Sequence, residues 1–156
     1  MKVVSNTSPL AYLILIRETR ILPELFREFI IPPAVRDELG HPDAPESIQE
    51  WIVDPPRWLS IAHRPTAPPD QETQRLDPGE TEVLLLADTL NPDLLVLDDW
   101  KARRVAKGRG LPLTGLIGVL DLAIERDLID ARSVVDRLRA TTFRVSDQLL
   151  QKLLRS

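Results

Sequence analysis

The sequence predicts an α/β fold with a short-stranded parallel sheet covered by helices on both faces. Three observations carry that expectation. Short apolar runs alternate with helix-patterned segments along the chain, the pattern of successive βαβ units. The runs are continuously apolar rather than alternating, as in strands buried on both faces. The clearest unit is Asp93–Gly110, DLLVLDDWKARRVAKGRG, which reads as a strand, an acidic turn and a basic helix ending on glycine. In parallel α/β sheets ligands bind beyond the carboxyl ends of the strands, so Asp98 and Asp99 are expected at that edge.

The other elements follow in order. Val3 and Val4, extended to Ser5, form a first strand. Asn6, Thr7 and Ser8 are helix-cap residues, Pro9 suits a first turn, and Leu10–Ile16 is the buried part of a first helix. Asn6 therefore falls on the same edge as Asp98, either as a plain helix cap or as a site residue. A second helix covers Leu22–Phe26, and Phe29–Ile31 is a second strand. Pro32 and Pro33 stop it and open a helix closed by Gly40. Val35 and Leu39 face the sheet. Glu38 lies close to that face, as a surface acid or as a carboxylate needing a cation.

Ser47–Ile52 reads as a short helix anchored by Trp51, and Trp58–Ile61 as a third strand. Residues 63–78 are a Pro- and Thr-rich loop. Asp77-Pro78-Gly79-Glu80 opens a helix whose buried stripe is Val83, Leu84, Leu86, Ala87 and Leu90. Glu80 and Glu82 fit its first turn electrostatically. Two residues apart, they are expected to point differently, one to the sheet edge and one to water. Leu111–Leu113 is a fifth strand. Helices follow over 116–126, from Asp130 to about Ala140, and over Asp147–Leu154 with Ser146 as its cap.

Composition bounds the chemistry. A chain of 156 residues suggests one domain, spanning 1–156. It contains no cysteine, which removes disulfide, thiolate and cysteine–zinc chemistry. The two histidines, His41 and His63, sit apart in loops and make poor metal ligands. The N-terminus lacks a signal-peptide pattern, no apolar run approaches a membrane span, and a cytoplasmic location is expected. The glycines do not form a phosphate-cradling loop, which disfavours NAD or ATP binding.

Asn6, Glu38, Glu80, Asp98 and Asp99 fall at successive strand-to-helix junctions. Clustered carboxylates repel unless cations intervene, and oxygen-only ligands suit Mg²⁺ or Mn²⁺. Such ions activate water and stabilise a phosphodiester's leaving oxygen. The adjacent basic helix offers Lys101, Arg103, Arg104 and Lys107 to a nucleic-acid backbone. The same helix also reads as a solvated charged face.

The succession VVSNTSPL, IPPAVRDEL, LDPGETEVLLLA, LLVLDDWKARRVAKGRGLPLTG and LIGVLDLAIERDLI resembles the PIN-like family. More narrowly, it resembles the DUF3368 branch, related to the VapC-type toxin ribonucleases of VapBC modules. The resemblance implies a three-layer α/β/α sandwich, a Mg²⁺- or Mn²⁺-dependent endoribonuclease acting on RNA, a homodimer and a cognate antitoxin. It aligns Glu38 with the family's second acid and Glu80 with the acid opening the central helix, Glu82 being the other register. Asp98 aligns with the acid ending strand four and Asp99 with its neighbour. The implied metal ligands are Glu38, Glu80, Asp98 and Asp99. Thr7 and Ser8 follow the family's small polar residues. Asn6 stands where PIN nucleases usually carry their first aspartate, so one charge is missing. That departure admits a second expectation, a catalytically weakened or inactive PIN-like protein that binds RNA or a partner protein. A phosphate-transfer enzyme for small phosphoesters is a third, disfavoured by the basic-flanked edge.

Overall fold

The computed structural model describes residues 1–143 and 146–155. Its centre is a five-stranded sheet of order β3-β2-β1-β4-β5 in which every pairing is parallel. The strands are β1 (Lys2–Ser5), β2 (Glu28–Ile31), β3 (Leu59–Ile61), β4 (Leu94–Val96) and β5 (Leu113–Thr114). The expected fold class is what the chain adopts. The fifth strand lies later than expected, pairing through Leu113 and Thr114 rather than Leu111.

Alternation along the strands divides the core in two, because successive side chains leave opposite faces. Val3, Phe29, Ile31 and Val96 point to one face. There they meet α1 (Thr7–Leu15), α2 (Ile21–Leu25), α3 (Pro33–Leu39), α4 (Glu46–Val53), α7 (Leu116–Glu125), α8 (Ala131–Arg139) and α9 (Asp147–Arg155). Val4, Ile30, Leu95 and Leu97 point to the other. That layer contains α5 (Pro78–Leu90) and α6 (Trp100–Gly108). The central strands are thus buried from both sides, which is why their sequences are continuously apolar.

Leu10, Leu13 and Ile14 of α1 are core residues. In α4 the buried residues are Ile48 and Ile52. Trp51, expected as the anchor, is half-buried and packs on Trp58 with ring centroids 6.0 Å apart. The loop before α5 contains a 3-10 turn at Thr73–Arg75, tied by Asp70 and Thr73 and by Arg109 reaching Asp70 and Glu72. Among the described residues no helix is long and apolar enough to cross a membrane.

The strand order fixes where a site can form. From β1 the chain runs outward one way to β2 and β3, then returns to pair β4 on β1's other side. The carboxyl ends of β1 and β4 flank this reversal, the place where open α/β sheets leave a crevice.

Candidate functional site

Asn6 follows β1 and Asp98 follows Leu97, just past β4, so the two come from adjacent strand ends. The Asn6 backbone N–H donates to the Val96 carbonyl at 3.0 Å, which locks them together. Asn6 occupies the N-cap position of α1 but its side chain makes no capping bond. The plain-cap reading of Asn6 therefore fails. Asn6 is 4% exposed, and its Oδ1 is buried with no hydrogen-bond partner. Asp98 Oδ1 accepts from the Leu116 N–H at 2.9 Å, while its Oδ2 is also buried and unpartnered. Burial pushes the Asp98 carboxyl above its usual range, against the lowering effects of the Leu116 N–H and the Arg103 charge.

Glu38 comes to the same cleft from α3. Its Oε2 accepts from the Thr7 hydroxyl and its Oε1 from the Gly79 N–H at 3.1 Å. Burial, aided by the Asp77 charge, raises its carboxyl despite those two bonds. A Cβ at Gly79 would stand 2.8 Å from Glu38 Oε1 and 2.9 Å from Asn6 Oδ1. Glycine here lets α5 start against both site oxygens.

Glu80 is fixed by a reciprocal capping box. Its N–H donates to Asp77 Oδ1 at 2.8 Å, and Oε1 accepts from the Asp77 N–H at 3.3 Å. It is 5% exposed. Burial, then the charges of Asp77 and Asp99, push its carboxyl up to about 7. Asp99 is exposed and caps α6, accepting from the Lys101 and Ala102 N–H groups at 2.9 and 3.2 Å.

The expectation that either Glu80 or Glu82 meets water is corrected: both are buried. Glu82 faces away from the cleft toward α3, where its Oε1 accepts from the Ala34 N–H at 2.8 Å and its Oε2 pairs with Arg64 at 2.8 Å. It satisfies one of the free donors of the α3 N-terminus.

Asn6, Glu38, Glu80, Asp98 and Asp99 all line one cleft of about 490 Å³. Sequence reasoning missed four contributors, Asp77, Tyr12, Thr142 and Phe143. Asp77 adds a further carboxylate, and its signal was present in the D-P-G-E box. Tyr12 and Phe143 form the far wall, meeting edge-to-face at 4.8 Å. Tyr12 Oη also bonds Thr142 Oγ1 at 3.0 Å. No local signal connects residues 12 and 143.

The basic residues divide. Lys101, Arg104 and Lys107 are exposed along α6. Arg103 is half-buried, and its Nη1 donates to the Leu97 carbonyl at 2.7 Å. Its head group is committed beneath the acidic turn, unlike the other three.

A model of the family described as DUF3368: PIN domain matches residues 2–156. The chain belongs to this family. Among solved structures, a PilT N-terminus domain protein from the hyperthermophilic archaeon Sulfolobus solfataricus is similar in fold, with a TM-score of 0.56 and 18% sequence identity. The similarity covers 80% of this chain and 95% of that one. No curated protein matches the sequence. The resemblance stated from the motifs is therefore borne out. The PIN fold is of nuclease type, and PIN domains generally bind RNA and use divalent metals.

The cleft of this PIN domain has the donor chemistry for a hard divalent cation: amide and carboxylate oxygens, two of them buried without a partner. Among the described residues no group of three or more acids or histidines is already gathered closely enough to hold an ion. Hard cations also accept amide oxygens and water. The two orphaned oxygens are what such a cation would satisfy, since burying a polar atom unpaired is costly and rare in native proteins.

Proposed function

We propose that this PIN domain is a divalent-metal-dependent endoribonuclease. The observation that carries the proposal is the pair of unpartnered buried oxygens, Asn6 Oδ1 and Asp98 Oδ2, at neighbouring strand ends. Asp98, Glu38 and Glu80 would hold Mg²⁺ or Mn²⁺, with Asn6 contributing its amide oxygen and Asp99 orienting bound water. Such an ion supplies an activated water and neutralises charge on the leaving oxygen. The protein's own contribution is positioning. Thr7 and Gly79 aim Glu38, the Asp77 box aims Glu80, and the Leu116 N–H holds one Asp98 oxygen so that the other stays free. Lys101, Arg104 and Lys107 would hold the RNA backbone beside the cleft.

The neutral Asn6 favours a second reading, a PIN-like protein with weak or absent catalysis that binds RNA or a partner protein. A toxin-like role with a cognate antitoxin, and a homodimer, belong to the first proposal through the family resemblance. The deciding experiment is Mn²⁺ and Mg²⁺ titration coupled to cleavage of a mixed RNA pool. Wild type and Asp98→Ala are run together. Metal-dependent cleavage lost in Asp98→Ala supports the nuclease. RNA binding without cleavage at any metal concentration supports the second reading.

A further inference from the structure

We propose that Trp100, with Arg104 stacked on it, is a platform that takes one unpaired base of an RNA strand whose backbone enters the acidic cleft. This rests on the nuclease reading for the direction of the strand, and on its own observations for the site. Trp100 is 67% exposed. Among the described residues it is the exposed aromatic side chain, for Trp51 and Trp58 are half-buried against each other. An indole left in water gains nothing for the fold, since the inward face of α6 is made by Ala102 and Ala106.

The ring is nevertheless organised. One helical turn on, the Arg104 guanidinium lies 5.3 Å from its centroid, in cation–π contact. That contact lies over one face of the indole, and with 67% of the residue exposed the ring remains accessible from solvent. Trp100, Arg104, Lys101, Arg75, Leu76 and Val105 line a second cleft of about 550 Å³. Its one acid, Glu72, is already engaged by Arg109 at 3.2 Å. No ion pair engages Arg75, Lys101 or Arg104 among the described residues. The cleft therefore offers an aromatic face, apolar walls and uncompensated cations, the combination that binds single-stranded nucleic acid by stacking and backbone attraction.

The two clefts meet in the sequence at one peptide bond: Asp99 lines the acidic one and Trp100 the basic one. A base held on Trp100 would set the register of the phosphate presented to Asp98. Bases in a duplex are already stacked on their neighbours, so the platform selects unpaired strands. Trp100 is a specificity-determining contact in this proposal, and Arg75 and Lys101 are backbone contacts.

The test uses the full chain in EDTA, so that binding is read without cleavage. The probes are a fluorescein-labelled ten-nucleotide oligoadenylate, the same oligomer abasic at every position, and a duplex RNA of equal length. Wild type should bind the oligoadenylate roughly tenfold tighter than the abasic strand, with quenching of tryptophan fluorescence. Trp100→Ala should lose about that factor on the oligoadenylate and nothing on the abasic strand, and Trp100→Phe should recover most of it. Arg75→Ala should weaken both strands alike and flatten the salt dependence. Circular dichroism confirms that each variant is folded. Retention of the base-over-abasic preference by Trp100→Ala, recovery by Phe no better than by Ala, or tighter binding of the duplex would overturn the platform. A Mn²⁺ cleavage arm separates the two readings. Cleavage intact in Asp98→Ala while the Trp100 effect stands defeats the nuclease assignment alone. Cleavage lost in Asp98→Ala while Trp100→Ala keeps base preference defeats the platform alone, as does a wild type that cleaves RNA with Mn²⁺ but binds neither strand in EDTA.

Discussion

Asn6 Oδ1 and Asp98 Oδ2 are both buried, both lack a hydrogen-bond partner, and stand beyond the ends of two strands that pair directly. Each atom by itself would cost the fold an unsatisfied polar group. Together, at the reversal of strand order, they are what a bound cation would satisfy. That relationship sets the first prediction.

Asn6→Asp should raise Mn²⁺ affinity by about tenfold, since it restores a charge beside Asp98. The gain is held down because cation and carboxylate must both shed water. Without metal the same variant should melt at a lower temperature, as a further like charge enters a cleft that already holds raised carboxyls. Calorimetric titration and melting in EDTA measure the two halves separately. Equal Mn²⁺ binding by wild type, Asn6→Asp and Asp98→Ala would remove the metal site.

The second prediction separates Glu80 from Glu82. Glu82→Ala removes a carboxylate that serves the Ala34 N–H and Arg64, and leaves that N–H buried without a partner. It should cost about 2 kcal/mol of stability by chemical denaturation. Its Mn²⁺ affinity should match wild type. Glu80→Ala should instead weaken metal binding. A Glu82→Ala protein that keeps its stability and loses metal affinity would reverse the two roles.

How much of this was legible in the sequence depends on whether the cause was local. The apolar runs ending at Val4 and Leu97 could be read, because each gives way to polar residues within one or two positions, although β4 itself stops at Val96. So could the opening of α5, from Asp77 and Pro78. That Asn6 and Asp98 would be neighbours could not, because nothing in either segment says that β1 pairs with β4 rather than with β5. The fate of Glu82 was hidden for the same reason. Its partners, Ala34 at the start of α3 and Arg64 in the loop after β3, lie 48 and 18 residues away and meet it only through tertiary packing. Tyr12 and Phe143 likewise met only through tertiary folding.

Gly79 supplies the third prediction. Its backbone is not in the left-handed region, so alanine should if anything favour the helix locally. The close approach of Glu38 Oε1 and Asn6 Oδ1 works the other way, since an added methyl must displace both. Gly79→Ala should therefore lose about 1–3 kcal/mol, the usual cost of overpacking. Mn²⁺ affinity should fall with it, because the displaced atoms are site oxygens. A gain in melting temperature with unchanged metal binding would show that α5 simply moves aside.

The last prediction follows from the Glu80 carboxyl, pushed from 4.5 to about 7 by burial and by the charges of Asp77 and Asp99. A raised carboxyl means that the folded protein holds this proton more tightly than the unfolded chain does. The resulting stabilisation is full below the unfolded value of 4.5, and is lost progressively as pH rises from there through about 7. Glu80→Gln cannot titrate and resembles the protonated acid. In EDTA, wild type and Glu80→Gln should melt alike at acid pH, and wild type should fall behind across that window. Metal reverses the preference, because ligation requires the carboxylate. Wild-type Mn²⁺ affinity should therefore climb as pH rises through about 7, while that of Glu80→Gln climbs less. Parallel melting curves for the two proteins across the window would show that Glu80 is ionised throughout and that its burial carries no proton.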